Sequence, residues 1–148
     1  MDFNHLSKLY RTAIMDYAGA QTHRYTIEQP THTYEIYNPS CGDVLSIQAI
    51  IHDNKIEEIA FMGEGCAISM ASAHLMCELL KGQPLPQAQT LEDSFKKLMT
   101  QSATNADKER LQEAKILEGV AQFPMRIRCA TLGWEAFEEM TEEGDHDE

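Results

Sequence analysis

Three of the four cysteines in this chain stand in settings that suit chemistry. They are Cys41 in Asn38-Pro39-Ser40-Cys41-Gly42-Asp43, Cys66 in Gly63-Glu64-Gly65-Cys66, and Cys129 in Pro124-Met125-Arg126-Ile127-Arg128-Cys129. No two of them form a CxxC pair, so any joint role has to be created by folding. A thiolate is both nucleophile and metal ligand, and its surroundings must favour the charged form. Cys66 falls where a strand passes into a helix, near the positive end of the helix backbone. Cys129 falls in the first turns of the last helix, between Arg126 and Arg128 on one side and apolar residues on the other. Three thiols with the carboxylate of Asp43 make a four-donor set suited to tetrahedral zinc, or a thiolate-rich cradle for iron and sulfide. The competing reading is that buried cysteines behave simply as small hydrophobes.

The elements that would position these groups follow from periodicity. Residues 44–51 and 56–62 read as two strands joined by Asp53-Asn54, a polar turn pair. A two-residue loop there sets Cys41 opposite Cys66, with Cα atoms roughly 5 Å apart. Leu45, Ile47, Ala49 and Ile51 share one strand face, and Cys41 and Asp43 have the same parity, so the site continues the core face. An opening helix is expected over 4–17 with Leu6, Leu9, Tyr10 and Ile14 inward, then a polar connector from Ala18 to Pro30 and a strand at Tyr34–Tyr37. A helix over 67–81 ends at Lys81-Gly82. Residues 83–86 read as a loop. Thr90-Leu91-Glu92-Asp93 resembles a capped helix start with Leu91, Phe95 and Leu98 inward. A charged helix over 106–118 closes at Gly119, and a last helix begins near Pro124. The pattern is α+β, with a small antiparallel sheet of about three strands packed against helices.

At 148 residues the chain is expected to be a single domain, 1–148, ending in an acidic tail at about 141–148. The net charge is −12, and eight acids with no Lys or Arg lie in 135–148. That balance argues against nucleic acid and anionic membranes as partners. No stretch reaches the ~18 apolar residues of a membrane span, and the first residues carry no secretory pattern. A cytoplasmic, reducing setting is expected, where four cysteines favour metal or catalysis over disulfides. The remaining candidates have plainer readings. Cys77 lies eleven positions beyond Cys66, roughly 16 Å along a helix, too far to share a metal. Met62, Met70 and Met76 read as core filler, and Glu64 as a rim carboxylate. The six histidines show no HxxxH or HxxH spacing and read as surface or packing residues.

Asn38-Pro39-x-Cys41-Gly42-Asp43, Gly65-Cys66-Ala67-Ile68-Ser69-x-Ala71-Ser72 and Arg126-x-Arg128-Cys129-Ala130-x-Leu132 together resemble the U-type iron–sulfur cluster assembly proteins. The resemblance runs from the first helix to the last. Within that family it is closer to the SufU type than to the IscU scaffold. Arg128 stands where the scaffold carries a histidine, and the additional segment at about 83–105 lies between Cys66 and Cys129. The resemblance implies a SufE/NifU-like fold and a zinc site of Cys41, Asp43, Cys66 and Cys129. It further implies that Cys41 accepts persulfide sulfur from a cysteine desulfurase of the SufS type. The chain would then act as a zinc-dependent sulfurtransferase and desulfurase activator rather than a free-standing enzyme, with downstream cluster-assembly proteins as further partners. The alternative role is a scaffold on which an iron–sulfur cluster is built on the same ligands.

Overall fold

The structure, a computed structural model, describes residues 8–146. The elements run α1 (Lys8–Gly19), β1 (His32–Asn38), β2 (Asp43–His52), β3 (Lys55–Glu64), α2 (Ala67–Leu80), α3 (Leu85–Met99), α4 (Asn105–Leu111), a 3-10 helix (Gln112–Gln122) and α5 (Pro124–His146). The strands form one antiparallel sheet in the order β1-β2-β3. This is the α+β architecture that the periodicity predicts. No helix among the described residues is long and apolar enough to cross a membrane. The acidic tail expected at 141–148 lies partly outside the described residues, and the backbone of α5 stays helical to His146. Leu6 and the start of the expected opening helix also lie outside them.

Asp53 and Asn54 both have positive φ, 53° and 60°, and close β2 onto β3 as a two-residue turn with His52 opposite Lys55. Polar residues that tolerate left-handed backbone make this turn possible. The register then changes. Ile51 faces Ile56, but Ile50 faces Glu58, so Glu57 is an extra residue on β3. Such a bulge shifts every later pair by one. The predicted pairing of Cys41 with Cys66 is therefore lost: the ladder ends at Val44 opposite Glu64.

Along β2, Asp43, Leu45, Ile47 and Ala49 are buried and alternate with half-buried neighbours, as period two demands. Ile51, expected to share that face, is only half-buried beside the bulge. The buried face meets α2 and α5. Helix α2 is buried on nearly every side, consistent with its all-round apolar sequence. Its small residues let α5 approach closely. A Cβ on Gly133 would lie 3.7 Å from the Cα of Ala73, and the Ser72 hydroxyl donates to the Ala130 carbonyl. The segment 83–105 supplies α3, whose Phe95 stacks on Trp134 of α5 with ring centroids 4.5 Å apart.

Three other expectations are corrected. Helix α3 begins at Leu85, five residues before Thr90, because Pro84 caps it and a proline is harmless in a first turn that has no partner for its N–H. The charged helix splits: α4 is held by a capping box between Thr104 and Asp107, and Gln112 at φ 51° turns the chain into the 3-10 helix. Leu9 is 83% exposed and Met62 40% exposed, so neither belongs to the core. Met70, Met76, Leu91, Phe95 and Leu98 are buried as expected.

Gly63 is the one position where the sheet cannot take a side chain. Its φ is +135°, and a Cβ would sit 2.0 Å from the Val44 carbonyl oxygen, a backbone atom that cannot move aside. Its own carbonyl accepts from Arg24, 2.9 Å away. Gly63→Ala combines backbone strain with overpacking, each worth about 1–3 kcal/mol. Urea denaturation should register a loss of about 2–5 kcal/mol, and a change below about 0.5 kcal/mol would contradict this account of the strand end.

Candidate metal centre

Each candidate ligand is held by a different piece of backbone. Cys41 sits in the four-residue loop between β1 and β2, where the N–H groups of Cys41 and Gly42 donate to the Asn38 carbonyl at 3.3 and 2.8 Å. Gly42 has a φ of +76°, which favours glycine and turns the chain into β2. Asp43 opens β2 and is 1% exposed. Cys66 is the N-cap of α2, and Cys129 lies on α5, fully buried. The α2–α5 contact at Ala73 and Gly133 fixes the two helices, and the site lies where they meet the end of the central strand β2.

What meets there differs from the strand arithmetic. Cys41 Sγ lies 3.4 Å from Cys129 Sγ, and donor atoms of Cys41, Asp43 and Cys129 all lie within 4.8 Å of one another. Cys66 lies outside that 4.8 Å group, though its thiol and that of Cys129 shift each other's proton affinity. The register shift also explains the place of Asp43. It now faces Gly65, where a Cβ would be 2.8 Å from Asp43 Oδ1, and Oδ1 accepts from the Cys66 backbone N–H at 3.0 Å. Asp43 thereby locks the loop to the start of α2.

Three features make this group fit a metal cation. Asp43 Oδ2 is buried with no hydrogen-bond partner, and an unpaired buried carboxylate oxygen is costly unless something positive meets it. The thiols of Cys41 and Cys129 share a 4.8 Å group with that carboxylate. Finally, the Cys66 thiol is pulled down to about 5 by the Cys129 hydrogen bond and then by Ser69, against the opposing effect of burial. Cys129 is correspondingly pushed up, chiefly by that same bond to Cys66. The pair gives up its first proton readily and holds the second.

The candidate thiols differ in exposure. Cys41 is exposed, Cys66 half-buried and Cys129 buried. Cys77 is fully buried, and desolvation pushes its thiol up, so it is inert packing as expected. The two arginines also part. Arg126 lines a cavity of about 130 Å³ together with Cys66, Ala67 and Ile68. Arg128 pairs with Glu135 at 3.0 Å on the exposed side of α5. Glu64 is exposed at the end of β3.

Ser69 was not singled out as a site residue by its type and spacing, yet its hydroxyl lies 3.2 Å from Cys66 Sγ. The signal was present: a serine three positions after a helix N-cap has its side chain beside the cap residue. A second group went unrecognised. His23 and His74 are buried and face Glu78, a cluster that spacing searches restricted to histidine pairs cannot find.

The profile of the NifU-like N terminal domain family matches residues 9–130. The chain is 37% identical over 139 residues to the iron-sulfur cluster assembly scaffold protein IscU of Streptococcus pyogenes serotype M1, covering 94% of this chain and 86% of that one. It is 36% identical over 139 residues to the zinc-dependent sulfurtransferase SufU of Bacillus subtilis (strain 168), covering 93% of each. A crystal structure of a protein assigned to iron-sulfur cluster assembly in the SUF system of Fervidobacterium islandicum AW-1 superposes with a TM-score of 0.83 at 28% identity, covering 91% of this chain and 95% of that one.

Proposed function

The chain belongs to the NifU-like N terminal domain family, and on that premise we propose that it carries sulfur for iron–sulfur cluster assembly, receiving it on Cys41 from a cysteine desulfurase. The observation that carries the reading is the unpartnered, buried Asp43 Oδ2 grouped with the thiols of Cys41 and Cys129, the first of which is exposed. Cys41, Asp43, Cys66 and Cys129 supply the donors for a resident zinc. When bound, zinc keeps the thiols deprotonated near neutral pH and protects them from oxidation. Cys66 and Cys129 are anchored by helices and hold position, whereas Cys41 sits on a loop that a partner can reach.

The transfer itself balances without an added oxidant. The Cys41 thiolate attacks the outer sulfur of the desulfurase persulfide, forming a new S–S bond on Cys41. The desulfurase S–S bond breaks, and its cysteine leaves as the thiolate. A desulfurase of the SufS type is the partner this reading names, with later cluster-assembly proteins as acceptors, in a reducing cytoplasm. Arg126, beside Cys66 and without an ion pair among the described residues, supplies positive charge for the approaching persulfide.

A scaffold role on the same four ligands is the second reading, favoured by the likeness to an IscU protein. Arg128 counts against it. It occupies the position before Cys129 where the scaffold carries histidine, and it is engaged with Glu135 instead.

Protein purified without added iron should contain about one zinc per chain and should raise the turnover of a SufS-type desulfurase. An iron–sulfur chromophore with no stimulation would favour the scaffold. Arg126→Ala is expected to lower the stimulation while leaving zinc content unchanged. Loss of zinc in that variant would make Arg126 structural.

A further inference from the structure

The connector between α1 and β1 brings a second set of metal-type donors against α2. Its backbone runs beside β3, where the His23 carbonyl accepts from the Phe61 N–H at 2.9 Å. That bond carries the His23 side chain onto α2. His74 and Glu78 stand one helical turn apart on α2, so they share a face. His23 Nε2 is 3.3 Å and His74 Nε2 3.8 Å from Glu78 Oε1. One ring nitrogen from each histidine and one Glu78 oxygen all lie within 4.8 Å of one another.

Burial separates this trio from an ordinary surface ion pair. His23 is 4% exposed and His74 6% exposed, while Glu78 is half-exposed. His23 Nε2 and His74 Nδ1 are buried with no hydrogen-bond partner. Each of the two buried imidazoles thus has one ring nitrogen without a hydrogen bond, an arrangement that natural interiors avoid unless something fills it. Tyr17 stacks on His74 with ring centroids 5.9 Å apart and fixes the ring plane.

We propose that His23, His74 and Glu78 bind a divalent transition-metal ion, at a site separate from the cysteines. His74 lies eight residues beyond Cys66 on α2, about 12 Å along the axis. Two imidazoles and one carboxylate suit an ion of borderline softness such as zinc, iron(II) or cobalt(II), and their single negative charge complements it. Metal–ligand bonds of about 2.0–2.2 Å require only that the three donors draw slightly closer. Entry comes from the cavity of about 290 Å³ bordered by Glu78, Leu79, Gln112 and Glu113. Glu113 also lines that cavity, as an outer carboxylate. The ion would tie the connector to α2 more firmly than the His23–Glu78 contact alone.

The test uses tag-free, full-length protein. Wild type and Glu78→Gln are each titrated with zinc by calorimetry and with cobalt(II) by visible absorption. Glu78 is half-exposed, so its amide replacement keeps the fold, and a melting curve without metal checks this. Wild type should bind one more equivalent than Glu78→Gln, or bind that equivalent at least about tenfold more tightly. The difference spectrum in cobalt should lack the intense sulfur-to-cobalt charge-transfer band. His23→Gln should reproduce the loss. The result does not depend on what the cysteines hold, because it is read as sites lost between variants. Equal stoichiometry and affinity in wild type and Glu78→Gln would reduce the trio to a histidine–carboxylate ion pair. A lost equivalent that carries the sulfur charge-transfer band would equally overturn the proposal.

Discussion

The Cys66→Ser, Cys129→Ser double variant is expected to lose its zinc and much of its thermal stability together. Both thiols are held by helices that cross at Ala73 and Gly133, and Cys129 Sγ lies 3.4 Å from Cys41 Sγ. Removing them leaves Cys41 and Asp43, too few donors for a closed tetrahedral site. Binding that is confined to the folded state adds its free energy to folding. At free zinc about 1,000 times the dissociation constant this is about 4 kcal/mol. In a chain of this size that corresponds to a fall in Tm on the order of 10 °C. Most of the core around Phe61, Phe95 and Phe137 is formed by residues other than the two cysteines, so circular dichroism should still show a folded protein in the cold. Full zinc occupancy in the double variant would overturn the ligand assignment.

Cys41→Ser is expected to return a stimulated desulfurase to the rate of the desulfurase alone. A serine hydroxyl is hardly ionised near neutral pH and cannot take sulfur from a persulfide. Cys66 and Cys129 cannot stand in, since one is half-buried and the other is closed from solvent. Mass spectrometry of wild type after incubation with the desulfurase and cysteine should place the added sulfur on Cys41. In Cys41→Ser the added sulfur should be absent. Sulfur found on Cys77 would contradict the assignment, because Cys77 is fully buried with its thiol held protonated. The fold should survive this substitution, as the loop is exposed and its turn is made by backbone bonds to Asn38.

The sequence by itself determined the local features. Asp53-Asn54 specified a two-residue turn because both residues accept positive φ. The alternation of Leu45, Ile47 and Ala49 put Asp43 on the core face, since strand parity is a property of adjacent residues. Lys81-Gly82 ended α2, and Cys66 fell at its cap. The three cysteine motifs carry the likeness to the family whose profile matches residues 9–130.

Only the tertiary structure decided which groups meet. The bulge at Glu57 moved the ladder by one residue, and nothing in the composition of β3 marks that extra position. Cys41 consequently meets Cys129, 88 residues away in sequence, rather than Cys66 across the sheet. That meeting depends on how closely α5 packs on α2, which is set by contacts between distant small residues. Leu9 and Met62 face outward for the same kind of reason, because an apolar residue is buried only if another element arrives to cover it. His23 and His74 show the converse. Fifty-one residues apart, they have no spacing to read, and they become neighbours only because a backbone bond to Phe61 lays the connector against α2.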